Sequence, residues 1–160
     1  MYVAQIKKWS AKKAKAPEPP RLNQNQWNVA GTLSVVLVVM GICQAVSFSS
    51  FKRVLTGLGL DAPTAWAIAL ILAEVWAATA FYRIKLDPRF RLAGLGLALA
   101  IAGFWFVLNV QAVSNDLRIP NSGFFGRYIA QAPSGWTLLE ASLFLGATLY
   151  IVDMIKNRGK

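Results

Sequence analysis

Two carboxylic acids lie alone inside long apolar stretches of the chain. Glu74 is the only charged residue in 62–82, and Glu140 is the only one in 128–152. A charged acid at the centre of a membrane span costs roughly 2.5–3.5 kcal/mol, so each acid needs a hydrogen-bonding partner or a proton. Two interpretations are open for both: they fix helix register, or they belong to a proton or quinone site.

Amide side chains fall at depths similar to that of Glu140 and complete a candidate intramembrane polar cluster. For the amides, hydrogen bonds between helices are the favoured interpretation, since such bonds commonly hold membrane helices together. The cluster consists of Gln44, Glu74, Asn109, Gln111 and Glu140.

The chain has one cysteine and no histidine. An intramolecular disulfide, the common Cys/His zinc sets, haem ligation by histidine and a histidine-containing catalytic triad are therefore excluded. Cys43 has no cationic neighbour in sequence that would favour a thiolate, so it is interpreted as a small apolar residue. We expect no catalytic residue, no metal and no cofactor, except that quinone remains an option.

The segment NSGFFGRY, residues 121–128, separates two apolar stretches and contains two glycines and an arginine. The glycines permit positive φ and close backbone approach, the phenylalanines can enter the bilayer or the bundle, and Arg127 is placed to reach Glu140. The sequence predicts a structural turn or a docking surface at Asn121, Ser122, Gly123, Phe124, Phe125, Gly126 and Arg127.

The elements that position these residues follow from composition. The chain is 56% hydrophobic and 15% charged, whereas soluble domains have about 45–50% and about 25%. Four stretches are long enough to cross a bilayer, and their backbone groups must be paired internally. We predict an all-α integral membrane protein, an antiparallel four-helix transmembrane bundle, with spans at 29–49, 63–83, 91–113 and 134–153.

Smaller features refine the prediction. Residues 48–58 have the spacing of a short surface helix, ended by Gly57 or Gly59, and Asp61 is expected to cap the second span. The small-x-small pattern at Ala45 and Ser47 would allow a cleavable signal peptide, but 28 residues before the apolar run favour an uncleaved span.

Thirteen of the seventeen Lys/Arg lie in 1–28, in the second connection and after the last span. Excess Lys/Arg marks the cytoplasmic side, so both termini are expected inside the bacterial inner membrane, with loops 1 and 3 extracytoplasmic. This divides the chain into a basic tail (1–28), a membrane domain (29–154) and a second basic tail (155–160). These basic residues are expected to contact lipid and not nucleic acid. The first tail is expected to be either an interfacial helix or a disordered segment.

Small residues recur every four positions on two of the predicted spans. Such ridges let helix backbones approach closely, either within one bundle or between two copies of the chain. They predict close contact of the second and third spans, through Ala65, Ala69, Ala73 and Ala77 on one and Gly94, Ala98 and Ala102 on the other.

The order of these features resembles the four-span DoxX-like membrane family, in its MauE (methylamine-utilisation) branch, over about residues 30–153. The segments that carry the resemblance are FSSFKRVLTGLGLDAP, ALILAEVWAATAF and NSGFFGRYIAQAPSGWTLLEASLFLGATLYI. Family members typically have Cys-Gly-Cys-Phe-Gly in the last segment, which matches here at Gly123, Phe125 and Gly126, followed by Trp136 and Glu140. Ser122 and Phe124 replace the two cysteines.

The resemblance implies a role in maturing a periplasmic, disulfide-rich dehydrogenase subunit, but thiol–disulfide exchange needs thiolates that this segment lacks. The expected function is therefore a non-thiol accessory or assembly subunit that docks a membrane or periplasmic redox partner. The alternative, from the DoxX-like subunit of a thiosulfate:quinone oxidoreductase, is a quinone- or small-anion-binding subunit with Glu74, Glu140 and Arg127 at its site. Homo-oligomers are compatible with both. Transport is less favoured, because no repeat or broken helix is evident.

Overall fold

The computed structural model describes residues 20–117, 119–129 and 131–158, and this part of the chain contains five helices and no strand. Four of the helices are long and apolar enough to cross a membrane, which confirms the predicted all-α four-span architecture. In chain order the helices are α1 (Gln24–Val46), α2 (Phe48–Gly57), α3 (Pro63–Ala80), α4 (Pro88–Ser114) and α5 (Gly135–Arg158).

Local sequence sets the beginnings of the helices. Asn23 and Gln26 form a reciprocal capping box at the start of α1, which pairs backbone N–H groups that the helix itself cannot pair. The Asp87 carboxylate caps α4, and Pro88 occupies its first turn. For α3, Pro63 is in the first turn as expected, but the predicted Asp61 cap is wrong. Ala62, at φ 54°, is the N-cap and supplies no side-chain bond.

The four long helices pack in the order α1, α3, α4, α5, with α1 and α5 closing the bundle. Neighbours are antiparallel. Ser34 bonds to the Ala78 carbonyl at one end of the α1–α3 contact, and Gln44 bonds to Glu74 at the other. We call the end that carries α2 and residues 119–129 the loop end, and the end where α1 begins and α5 finishes the terminal end. The α1–α5 contact is less extensive than the other three.

The helix ends differ from the predicted spans by a few residues. Helix α1 begins at Gln24, inside the stretch that the sequence assigned to the N-terminal tail. Helix α5 runs to Arg158 and so includes residues 155–158. The rest of the basic N-terminal tail, up to residue 19, and the last two residues lie outside the described residues. Residues 48–57 form the expected short helix, which buries Phe51, Val54 and Leu55.

The small-residue ridge of α4 packs as predicted, and that of α3 does so only in part. Gly94, Ala98 and Ala102 are buried, and a Cβ at Gly94 would lie 2.8 Å from the Ala80 Cβ, so α3 and α4 are closely apposed. On α3, however, Ala65 and Ala69 are exposed. The buried face of that helix includes Ala67, Leu70 and Glu74 instead.

Candidate functional site

The Glu74 side chain is fully buried among α1, α3 and α4. Its Oε1 accepts hydrogen bonds from Gln44 Nε2 at 3.1 Å and from Trp105 Nε1 at 3.4 Å. Burying a carboxyl group is tolerable only when such donors replace water. The acid therefore ties three spans together at one point in the half of the bundle nearer the loop end.

The same network reaches the loop end through Gln44. Its second amide hydrogen is donated to the Phe124 carbonyl at 3.1 Å. Gln44 of α1 therefore contacts the backbone of the NSGFFGRY segment directly, and it links Glu74 of α3 to that segment. The predicted proximity of the polar cluster to this segment is present for Gln44 and Glu74.

A second contact fixes the segment to the end of α1. Ser47 Oγ donates to the Cys43 carbonyl at 2.6 Å and accepts from the Arg127 backbone N–H at 3.2 Å. Close to these atoms lies Gly126, at φ 55°, where a Cβ would overlap Ser47 Oγ. Glycine is required here for conformation and for space.

The segment also holds its own shape. Asn121 Oδ1 accepts from the Gly123 N–H at 2.9 Å, and its Nδ2 donates to the Gly126 carbonyl. Ser122 N–H donates to the Gln131 carbonyl at 2.6 Å. Bonds of an Asn side chain to nearby backbone groups are typical of tight turns. The segment is thus a defined turn.

Aromatic side chains form the base on which this turn rests. The Phe124 ring packs against Trp105 with centroids 5.1 Å apart, and Phe51 of α2 lies on Trp105 at 6.2 Å. Gly123 meets the same indole, since a Cβ there would lie 2.9 Å from it. The Trp105 ring therefore packs against the turn, while its Nε1–H donates to Glu74. Its role was not predicted, because a tryptophan in an apolar stretch gives no sign of its partner.

Three buried oxygens have no hydrogen-bond partner within the described part of the chain: Gln44 Oε1, Glu74 Oε2 and Asn109 Oδ1. All three are acceptors, and two of them, Gln44 Oε1 and Glu74 Oε2, belong to the network around Glu74, so that network holds more acceptors than donors. A proton on Glu74 would reduce this excess and supply a donor.

The remaining members of the predicted polar cluster are not part of this network. Asn109 is buried, but its amide donates to the Trp105 carbonyl of its own helix at 2.9 Å. Gln111 is exposed, because two residues turn a helix by about 200° and cannot both face inward. Glu140 is half-buried on α5, in a different environment from Glu74.

Glu140 lies at an apolar groove of about 340 Å³ between α1 and α5, and two phenylalanines of the turn are among its lining residues. Among the described residues that line the groove it is the sole charged one. The others are Leu33, Val36, Met40, Phe124, Phe125, Leu143 and Phe144.

Arg127 does not reach Glu140. Its guanidinium lies 5.5 Å from the Tyr128 ring centroid, and no ion pair joins the two residues in the described ranges. Glu74, Glu140 and Arg127, expected to line one site, therefore occupy a buried network, a groove and the surface, respectively.

Most of the predicted docking residues are inaccessible. Asn121, Ser122, Gly123, Phe124 and Gly126 are buried, because the turn packs into the bundle and does not stand above it. Of the seven, Phe125 is half-buried and Arg127 is exposed. The exposed surface continues through Tyr128 and Ile129, which the prediction had not included.

At the terminal end, Arg91 has a role that its place among basic residues did not reveal. It is buried, and its guanidinium donates to the carbonyls of Ala80 at 2.7 Å, Tyr82 at 3.2 Å and Ile84 at 2.5 Å. These carbonyls lie at and beyond the end of α3, where a helix leaves acceptors unpaired. Arg91 thus joins α4 to the end of α3.

Within the described residues, no group of three or more Cys, His, Asp or Glu could hold a metal ion. Comparison with known proteins gave no family: no family model matches the chain, and neither curated proteins nor solved structures gave a match.

Proposed function

We propose that this protein is a non-thiol accessory or assembly subunit that docks a membrane or periplasmic redox partner. The observation that carries the proposal is the construction of the 121–128 turn. Buried side chains hold it from below, through Gln44 and Ser47. Immediately after the buried residues, Tyr128 and Ile129 are 52% and 49% exposed. Because the backbone of the turn is already held in place, its exposed aromatic and aliphatic side chains can bind a partner at a low cost in conformational entropy.

The character of this surface favours a protein partner. Tyrosine and arginine are enriched at the centres of protein interfaces, and Arg127 adjoins Tyr128 here. The partner would approach from outside the cytoplasm if the termini are cytoplasmic, as the lysine and arginine distribution favours. A reporter fused to the C-terminus tests that orientation, and export of the reporter would contradict it.

Thiol chemistry is not part of the proposal, because Ser122 and Phe124 stand where the family that the sequence resembles has its two cysteines. The one cysteine, Cys43, lies half-buried on α1. We expect Cys43→Ala to leave partner binding unchanged. Loss of binding in that variant would mean that a mixed disulfide takes part after all.

The docking surface is tested by site-specific photo-crosslinking. A photo-crosslinking residue is placed at position 128 and, as a control, at Tyr82, which is 46% exposed at the opposite end of the bundle. We expect one stoichiometric redox protein to be linked from position 128 and not from 82. Tyr128→Ala combined with Ile129→Ala should weaken its co-purification roughly tenfold or more, at ~1 kcal/mol or more for each interface side chain. Equal crosslinking from both positions, or none, would refute the proposal.

The groove beside Glu140 favours a second candidate, a quinone-binding subunit. Its apolar walls and single polar group are typical of sites for small apolar ligands, and its volume is about 340 Å³. Glu140→Gln should weaken quinone binding to the purified protein. Glu74→Gln should not, because Glu74 does not line the groove. Equal binding by wild type and Glu140→Gln would remove this acid from any quinone site.

A further inference from the structure

A second cavity, separate from the groove, lies at the loop end between α2 and the segment that leads into the turn. Its volume is about 290 Å³. Two arginines from distant parts of the chain line it, Arg53 from α2 and Arg127 from the turn, together with Ser50, Val54, Ile119, Pro120 and Asn121.

Neither arginine has a carboxylate partner in the described part of the chain. Arg53 Nη2 donates to Ser50 Oγ at 3.1 Å, and the Arg127 guanidinium lies on the Tyr128 ring. No acid is among the described residues that line the cavity. Two like charges at one cavity repel each other unless an anion lies between them, so the electrostatics of this site favour a negatively charged occupant.

The other walls define what the anion can be. Ser50 accepts from Arg53 and keeps its own hydroxyl hydrogen for a further acceptor. Asn121 is buried, and its side-chain amide bonds to backbone groups within the turn. Val54, Ile119 and Pro120 are apolar. Guanidinium forks and a hydroxyl match the oxygens of a phosphate group.

We propose that this cavity binds a phosphate-type oxyanion, carried either by an anionic phospholipid headgroup or by a free ion. The position at the end of the bundle, next to the apolar spans, is compatible with both sources. This site does not depend on the proposed docking function, because its test uses the purified protein without any partner.

The test compares Arg53→Gln and Arg127→Gln with Lys52→Gln. Lys52 is the matched control, since it precedes Arg53 on α2 but lies on the Phe48 ring and not at the cavity. Inorganic phosphate is titrated into the full chain in detergent at constant ionic strength, and binding is followed by calorimetry. In parallel, nanodiscs of phosphatidylcholine with and without phosphatidylglycerol are analysed by native mass spectrometry for retained lipid.

Either arginine substitution should weaken binding roughly tenfold or more, since each removes a charge-assisted donor. Lys52→Gln should bind as the wild type does. Phosphate binding in detergent identifies a free ion as a sufficient ligand, whereas selective retention of phosphatidylglycerol alone identifies a lipid headgroup. Absence of both, or an equal loss in Lys52→Gln, overturns the proposal. Only the backbone of Arg127 seats the turn, so unchanged tryptophan fluorescence verifies that the variants fold.

Discussion

Gly126→Ala should disturb the contacts of the 121–128 turn with Ser47 and Cys43 more than any other single methyl group added to the turn. Gly126 has φ 55°, and a Cβ would overlap Ser47 Oγ and lie 2.9 Å from the Cys43 carbonyl oxygen. Ser47 Oγ donates to the Cys43 carbonyl and accepts from the Arg127 N–H, so neither atom can move freely. The methyl group can be accommodated only if the turn moves away from α1.

The magnitude follows from two costs that a control variant separates. A left-handed backbone costs an alanine ~1–2 kcal/mol, and this applies equally to Gly59, whose φ is 81°. A Cβ at Gly59 would meet nothing within 4 Å. At Gly126 the steric conflict adds ~1–3 kcal/mol, as overpacking of a filled site does. Gly126→Ala should therefore lower the free energy of unfolding by ~1–3 kcal/mol more than Gly59→Ala.

The assay is SDS-induced unfolding of both variants in mixed micelles, followed by far-ultraviolet circular dichroism. Limited proteolysis of the folded proteins adds a local readout, because a displaced turn should be cleaved sooner. Equal destabilisation by the two substitutions, with equal cleavage rates, would refute the claim that Ser47 and Cys43 hold the turn.

Two further substitutions test the bundle itself in the same unfolding assay. Glu74→Ala leaves the buried amide of Gln44 and the indole N–H of Trp105 without their acceptor. It should lower the free energy of unfolding by ~1–3 kcal/mol for each donor left unpaired. Glu74→Gln keeps an acceptor and should lower it less, so equal losses in the two variants would contradict the network. Gly94→Ala places a methyl group 2.8 Å from one on α3 and should destabilise by ~1–3 kcal/mol. Gly96→Ala meets nothing within 4 Å and should be neutral or stabilising by up to ~1 kcal/mol, so a similar loss in both would indicate that α3 and α4 are not closely packed.

The four spans were predictable because a helix that crosses the hydrocarbon core needs a long uncharged stretch, and the hydropathy of the sequence identifies such stretches. The helix ends were less predictable, since hydropathy marks the boundary of the apolar region and not the residue that caps the helix. At α1 the polar pair Asn23 and Gln26 starts the helix before the apolar run begins. At α3 the sequence favoured Asp61 as the cap, whereas the backbone turns at Ala62.

For the candidate site, the sequence predicted only the depth of each polar side chain along its span. Gln44 and Glu74 were expected in one polar cluster, and they bond to each other. Rotation about the helix axis decides the rest, which is why Gln111 faces outward while Asn109 is buried. The contributions of Trp105 and Ser47 depend on contacts between residues far apart in the chain, such as that between Ser47 and Arg127, and no local pattern encodes them.

The 121–128 turn contacts Gln44 of α1 and Trp105 of α4, and Glu74 of α3 bonds to both of these residues. All three helices precede the turn in the chain. The turn can make its observed contacts only where those three helices are already packed together, so an ordered turn reports a packed bundle. A protein that recognised the settled turn would thereby distinguish finished molecules from half-inserted ones. Quality control of this kind would need no additional sensor.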